Sequence, residues 1–92
     1  MHAAATPDTV KLVYLARLRE AFGLAGEDIA PPPEVTTVGA LRSWLAARGG
    51  AWASELAAGR AVRIAVNHDV AKPETPVRPG DEIALFPPVT GG

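Results

Sequence analysis

The residues best placed to do chemistry are the last two, Gly91 and Gly92. Glycine has no Cβ, so this stretch of backbone can thread a narrow channel or approach a nucleotide closely. It ends in a bare carboxylate. A carboxylate is a poor electrophile and becomes an acyl donor only once it has gained a leaving group such as AMP. A sulfide equivalent that displaced the AMP would leave a terminal thiocarboxylate. The chain has no cysteine, so sulfur held by this protein cannot sit on a side-chain thiol, and the terminus is the remaining place for it.

The residues before the glycines give the terminus a definite setting. Pro87 and Pro88 lack a backbone donor and end any strand that reaches them. They also stiffen the exit and direct it away from the domain. Val89 and Thr90 favour extended backbone. Residues 87–92 are therefore expected to form an extended tail leaving directly from a final strand.

Other chemistry is poorly supported. His2 and His68 stand alone, without the cysteines or spaced carboxylates of a metal site. No phosphate-binding glycine loop, dinucleotide fingerprint or nucleophile–base motif occurs. The chain is expected to have no active site of its own and no bound metal or cofactor. The net charge of -1 and the lack of a basic, aromatic-rich stripe argue against nucleic acid. No apolar run approaches the roughly 20 residues of a membrane span. The first residues lack the cationic and apolar regions of a signal peptide. A cytoplasmic location is expected.

Ninety-two residues, 48% of them hydrophobic, suit one domain with a modest core. Residues 1–9 read as a loose extension, 10–86 as the domain and 87–92 as the tail. Residues 10–16 are an apolar run expected to be a central strand buried on most of both faces. Residues 17–22 read as a polar turn ended by Gly23, and 27–30 as a weak strand paired back in a hairpin. Thr37, with Thr36 the alternative, is the expected N-cap of a helix whose stripe is Val38, Leu41 and Leu45, closed by Gly49 and Gly50. Trp52 and Leu56 suggest a second short helix, and both Trp44 and Trp52 read as core or core-edge residues. Residues 62–66 alternate as a strand. Asn67, His68 and Asp69 form a tight turn, and residues 70–71 a short return strand. Pro79 and Gly80 suit a type II turn. In the final strand, 83–86, Ile83 and Leu85 should face inward, with Ala84 and Phe86 on the other face. One helix covering one face of a mixed sheet makes a two-layer α+β domain. With the first and last long strands side by side, that arrangement is a β-grasp.

Several segments resemble the small, sulfur-carrier subunit family of molybdopterin synthase, within the ubiquitin-like carriers. They are residues 14–20 (YLARLRE), the Thr37-Val38 helix start with Leu41, Ala65-Val66-Asn67, residues 80–84 (GDEIA) and, most specifically, residues 86–92 (FPPVTGG). They keep the family's order across about residues 10–92. The resemblance implies an ATP-dependent, E1-like enzyme that adenylates Gly92, and a sulfur donor protein that supplies the thiocarboxylate sulfur. It implies a large synthase subunit that takes up the tail and holds the catalytic lysines, usually in a heterotetramer of two small and two large subunits. Sulfur then passes to cyclic pyranopterin monophosphate. By position, Phe86 and Val70 match apolar partner-facing residues, and Arg19 a polar one that meets the activating enzyme. Residues 30–34 are richer in proline than the family leads one to expect, and Gly39 sits inside the helix. Two other readings fit the same residues: a sulfur carrier for thiamine or cysteine synthesis, and a β-grasp interaction module whose tail is never activated.

Overall fold

The computed structural model describes residues 8–88. Its elements run β1 (Val10–Tyr14), α1 (Ala16–Phe22), β2 (Gly26–Ile29), α2 (Val38–Ala46), α3 (Gly50–Glu55), β3 (Arg63–Val66), β4 (Asp69–Val70) and β5 (Glu82–Phe86). The five strands make one mixed sheet in the order β2-β1-β5-β3-β4. β1 and β5 run parallel at its centre, with Leu12 opposite Ile83 and Tyr14 opposite Leu85. The other pairings are antiparallel. The expected β-grasp is the observed fold.

Packing explains the strand pattern. Leu12, Tyr14, Ile83 and Leu85 are fully buried. They pack with Ile64 of β3, with Val38, Leu41 and Leu45 of α2, and with Leu18 and Phe22 of α1. Burying side chains of this size stabilises the domain by about 1.5–3 kcal/mol each. β1 is buried on one face only: Lys11 is exposed and Val13 half-buried. The expectation of burial on both faces fails because the helices cover a single side of the sheet. The centre of the sheet is also β5, with β1 beside it.

Residues 16–22 are a helix, α1, where a polar turn was expected. Their charges hide a short apolar stripe, Leu18 and Phe22, four residues apart and both buried. Gly23 ends the helix in the left-handed region, φ 71°, and its N–H donates to the Arg19 carbonyl. The Thr37 cap is present, its Oγ1 accepting from the Ala40 N–H at 3.2 Å. α2 ends at Ala46, and Gly49 caps the start of α3. Gly39 has a structural reason: its N–H donates to the Pro73 carbonyl at 2.8 Å, and a Cβ there would press on that same oxygen at 3.2 Å.

The turns follow their residues. Asn67 and His68, at φ 50° and 77°, make the two-residue link between β3 and β4. Gly80, at φ 91°, occupies the turn position that requires a left-handed residue, and the Asp81 N–H closes the turn on the Arg78 carbonyl at 3.1 Å. At the same turn, the Gly80 N–H donates to the Thr9 carbonyl at 2.8 Å. No helix of the described residues is long and apolar enough to cross a membrane.

Candidate functional site: the tail exit and the open sheet face

β5 ends at Phe86, and Pro87 and Pro88 lead the chain off the sheet. Val89, Thr90, Gly91 and Gly92, on which the terminal chemistry depends, lie outside the described residues. The site that can be built is therefore the platform from which the tail departs.

Strand register sets that platform. Residues paired across a ladder share a face of the sheet. Val70 pairs with Ala65, Ala65 with Ala84, Ala84 with Val13, and Val13 with Gly26. A row of small or branched apolar residues thus crosses all five strands on the face away from the helices. Two residues further towards the tail, Phe86 stands opposite Arg63. Two residues the other way, Lys11 lies between Glu82 and Asp28. The face is charged at one end, low and apolar in the middle, and presents an aromatic and a cation where the tail leaves.

Exposure separates the predicted contact residues. Val70 is 63% exposed, high for a valine. Phe86 is half-buried, with Ile83 and Leu85 taking the inward positions. Leu15, which follows β1 and whose N–H donates to the Leu85 carbonyl, is 43% exposed beside the same exit. It is an exposed apolar residue that sequence reasoning did not single out; its place at the end of β1 was the available signal. Arg19 is exposed on α1, away from the sheet row that joins Val70 to the Phe86 edge. The fold brings Phe86 and Val70 onto one face and puts Arg19 on a neighbouring element.

A second group, also missed, holds α1 and α3 in place. The Tyr14 hydroxyl donates to Glu27 Oε2 at 2.6 Å, and Arg48 grips both Glu27 oxygens at 2.7 and 3.3 Å. The Arg48 guanidinium lies 5.0 Å from the Trp52 ring centre. Trp52 stacks on Phe22 at 4.5 Å, and Phe22 meets Tyr14 edge-on at 4.8 Å. The result is a closed circuit through β1, β2, α1, α3 and the end of α2. The Arg48 hydrogen bond holds the Glu27 carboxyl below its ordinary range. Burial, reinforced by Glu27, pushes the Tyr14 hydroxyl well above its own.

A cleft of about 550 Å³ lies at the opposite end, where β1 and β5 begin, against Pro31, Pro32, Pro33, Val35, Val77 and Pro79. Among the described residues, no group of three or more histidine, cysteine or acidic side chains is placed to hold a metal. His68 is exposed in the β3–β4 turn.

A five-stranded β-grasp sheet, helices on one face and a Pro-Pro exit from its central strand define the class: a ubiquitin-like domain. The ThiS family model matches residues 12–92. The chain belongs to the ThiS family. It is 39% identical over 83 residues to the molybdopterin synthase sulfur carrier subunit of Escherichia coli, covering 90% of this chain and 99% of that protein. The subunit of the same name from Haemophilus influenzae is 37% identical over the same shares. Among solved structures, SAMP1 from Haloferax volcanii superposes with a TM-score of 0.74 at 26% identity, covering 91% of this chain and 99% of the other. A putative molybdopterin converting factor subunit 1 from Pyrococcus furiosus gives 0.72 at 30% identity, over 88% and 98%.

Proposed function

We propose that this chain is the sulfur carrier subunit of a molybdopterin synthase, bearing its sulfur as a thiocarboxylate on Gly92. The observation that carries the reading is the 39% identity over 83 residues to a subunit of that name, together with a family match that runs through the terminal Gly91-Gly92. In the proposed cycle the Gly92 carboxylate attacks the α-phosphorus of ATP on an E1-like activating enzyme, and pyrophosphate leaves. A sulfide equivalent from a sulfur donor protein then adds to the acyl carbon, and AMP leaves. ATP is a substrate of the activating enzyme and needs no site on this chain.

The charged carrier then docks on the large synthase subunit through Phe86 and Val70, and the tail enters that subunit's catalytic centre. There the thiocarboxylate sulfur bonds to a carbon of cyclic pyranopterin monophosphate and displaces an oxygen substituent from it, which leaves protonated. Water cleaves the acyl–sulfur link, leaving sulfur on the pterin and a carboxylate on Gly92. A second carrier visit completes the dithiolene. The catalytic lysines belong to the large subunit, in an assembly of two small and two large chains. A cytoplasmic setting fits a cycle fed by ATP and a reduced sulfur donor.

The family model by itself also fits a carrier for another sulfur pathway, and the curated relatives favour the molybdopterin one. Intact-protein mass spectrometry decides the chemistry. After incubation with ATP, activating enzyme and sulfur source, the chain should become about 16 Da heavier at Gly92, sulfur replacing oxygen. No mass change, with an enzyme proven on another carrier, would reject the carrier reading. Sulfur transfer to the pterin precursor in the presence of the large subunit then selects the pathway.

A further inference from the structure

The β3–β4 hairpin carries Val70 and has little of its own to hold it. β4 is two residues long, and both are exposed. It meets the sheet through two rungs, Val66 to Asp69 and Ala65 to Val70. At 63% exposure, Val70 does not anchor the hairpin by its own burial. The turn also runs against its residues' backbone preference. Asn67 and His68 both take left-handed angles, φ 50° and 77°. A two-residue turn of this hand favours glycine at its second position, and a Cβ there, as in His68, is strained. Short edge strands with few buried contacts are among the first parts of a domain to open.

Asn67 offsets this with three hydrogen bonds to the start of β5. Its N–H donates to the Glu82 carbonyl at 2.8 Å. Its Oδ1 accepts from the Glu82 N–H and its Nδ2 donates to Asp81 Oδ1, each at 3.0 Å. The other Asp81 carboxylate oxygen accepts from the Arg78 N–H at 2.8 Å, across the turn that Gly80 makes. The Asp81 carbonyl accepts from the Lys11 N–H at 2.9 Å, which anchors the same group on β1. Residues 65–67 and 80–84, far apart in the chain and idle in the tail chemistry, are joined here.

We infer that Asn67 and Asp81 are positioning residues: they clasp the β3–β4 turn to β5 and so hold Val70 where the large subunit meets it. The inference rests on the carrier reading above, which gives Val70 that contact. A contact residue on a hairpin that opens is available only for the closed fraction of the time, and affinity falls with that fraction. The clasp raises the closed fraction without touching the partner.

The test pairs amide hydrogen exchange in the free full chain with calorimetric affinity for the purified large subunit. Asn67→Ala removes both of its side-chain bonds. Exchange at the Ala71 N–H, which donates to the Ile64 carbonyl at 2.8 Å within the hairpin, should become about tenfold faster. Affinity should fall about fivefold. In a Val70→Ala background the same change should cost less than about twofold. Asp81→Asn leaves one oxygen for two donors, Asn67 Nδ2 and the Arg78 N–H, and should be intermediate. The exchanged pair Asn67→Asp/Asp81→Asn can keep all three bonds of the two side chains, with one donor reversed. It should return both readings to within about twofold of wild type. Unchanged exchange in Asn67→Ala would overturn the clasp. Faster exchange with unchanged affinity would overturn the positioning role and leave the clasp a matter of stability. So would a full fivefold cost in the Val70→Ala background, or an exchanged pair no better than the single changes. A wild-type chain that never gains sulfur at Gly92 would sink the carrier reading instead, while exchange at Ala71 still judges the clasp. Circular dichroism melting identifies any variant that fails to fold, and Asp81→Asn keeps the test open if Asn67→Ala does.

Discussion

Arg63 and Phe86 face each other across the β3–β5 ladder, the last paired rung before the tail. This rung puts a cation and an aromatic side by side at the point where the chain leaves the sheet. A partner that accepts the tail meets these two side chains first, with the Val13–Ala84–Ala65–Val70 row behind them.

Phe86→Ala should therefore weaken binding to the large subunit by more than about 1 kcal/mol, because buried aromatic anchors dominate interface energies. Its effect on folding should be smaller than that of truncating Leu85, which is fully buried and should lose about 2–5 kcal/mol as alanine. Calorimetric titration and urea unfolding of both variants separate the two effects. Unaltered affinity for Phe86→Ala would remove it from the interface.

Deleting Gly92 should abolish sulfur delivery while leaving the fold intact, since every core residue precedes the tail. Product yield with purified large subunit and the melting curve are the two readouts. An undiminished yield from the deletion would refute the terminal chemistry.

The Tyr14–Glu27–Arg48 circuit should make stability depend on pH in a predictable direction. Glu27 in the folded chain titrates below its ordinary 4.5 because Arg48 binds the charged form. Its contribution is present above the unfolded value and is lost as pH falls through the lower folded value. Urea unfolding should show Glu27→Gln less stable than wild type at neutral pH, with the gap closing in acid. Tyr14→Phe should lose about 1.5 kcal/mol, the scale of a hydrogen bond to a charged group. A pH-independent gap for Glu27→Gln would mean that the ion pair contributes nothing.

Gly80→Ala should destabilise the domain by about 1 kcal/mol or more, because φ 91° lies where a Cβ is strained. There is open space around that position, so the loss comes from backbone conformation and not from a clash. Gly59→Ala, which also meets open space and lacks a positive φ, is the matched control and should leave the melting temperature near that of wild type.

Much of the fold was legible in local patterns. Alternation marked Ile83 and Leu85 as inward, and both are fully buried. Threonine before an apolar stripe marked the start of α2, and the Thr37 cap is there. Proline followed by glycine marked the turn before β5. α1 was hidden because a seven-residue helix offers only two buried positions, Leu18 and Phe22, among five polar or small neighbours. The one-sided burial of β1 was hidden because Val13 and Leu12 look alike in sequence, and only the placement of the helices tells them apart.

The candidate site divides along the same line. The sequence alone placed the Gly91-Gly92 pair shortly after Pro87 and Pro88 and showed no cysteine among the 92 residues, because these are properties of covalent structure. It also placed Phe86 on the outward side of its strand, because side-chain direction alternates with each residue. Only the tertiary structure decided which residues share the face with Phe86. The rung to Arg63, the row to Val70 and the meeting of Arg17 and Arg60 on Glu55 join residues far apart in the chain. So does the Tyr14–Glu27–Arg48 circuit. Such contacts depend on strand order and register, which are set by the packing of the whole core and have no local signature.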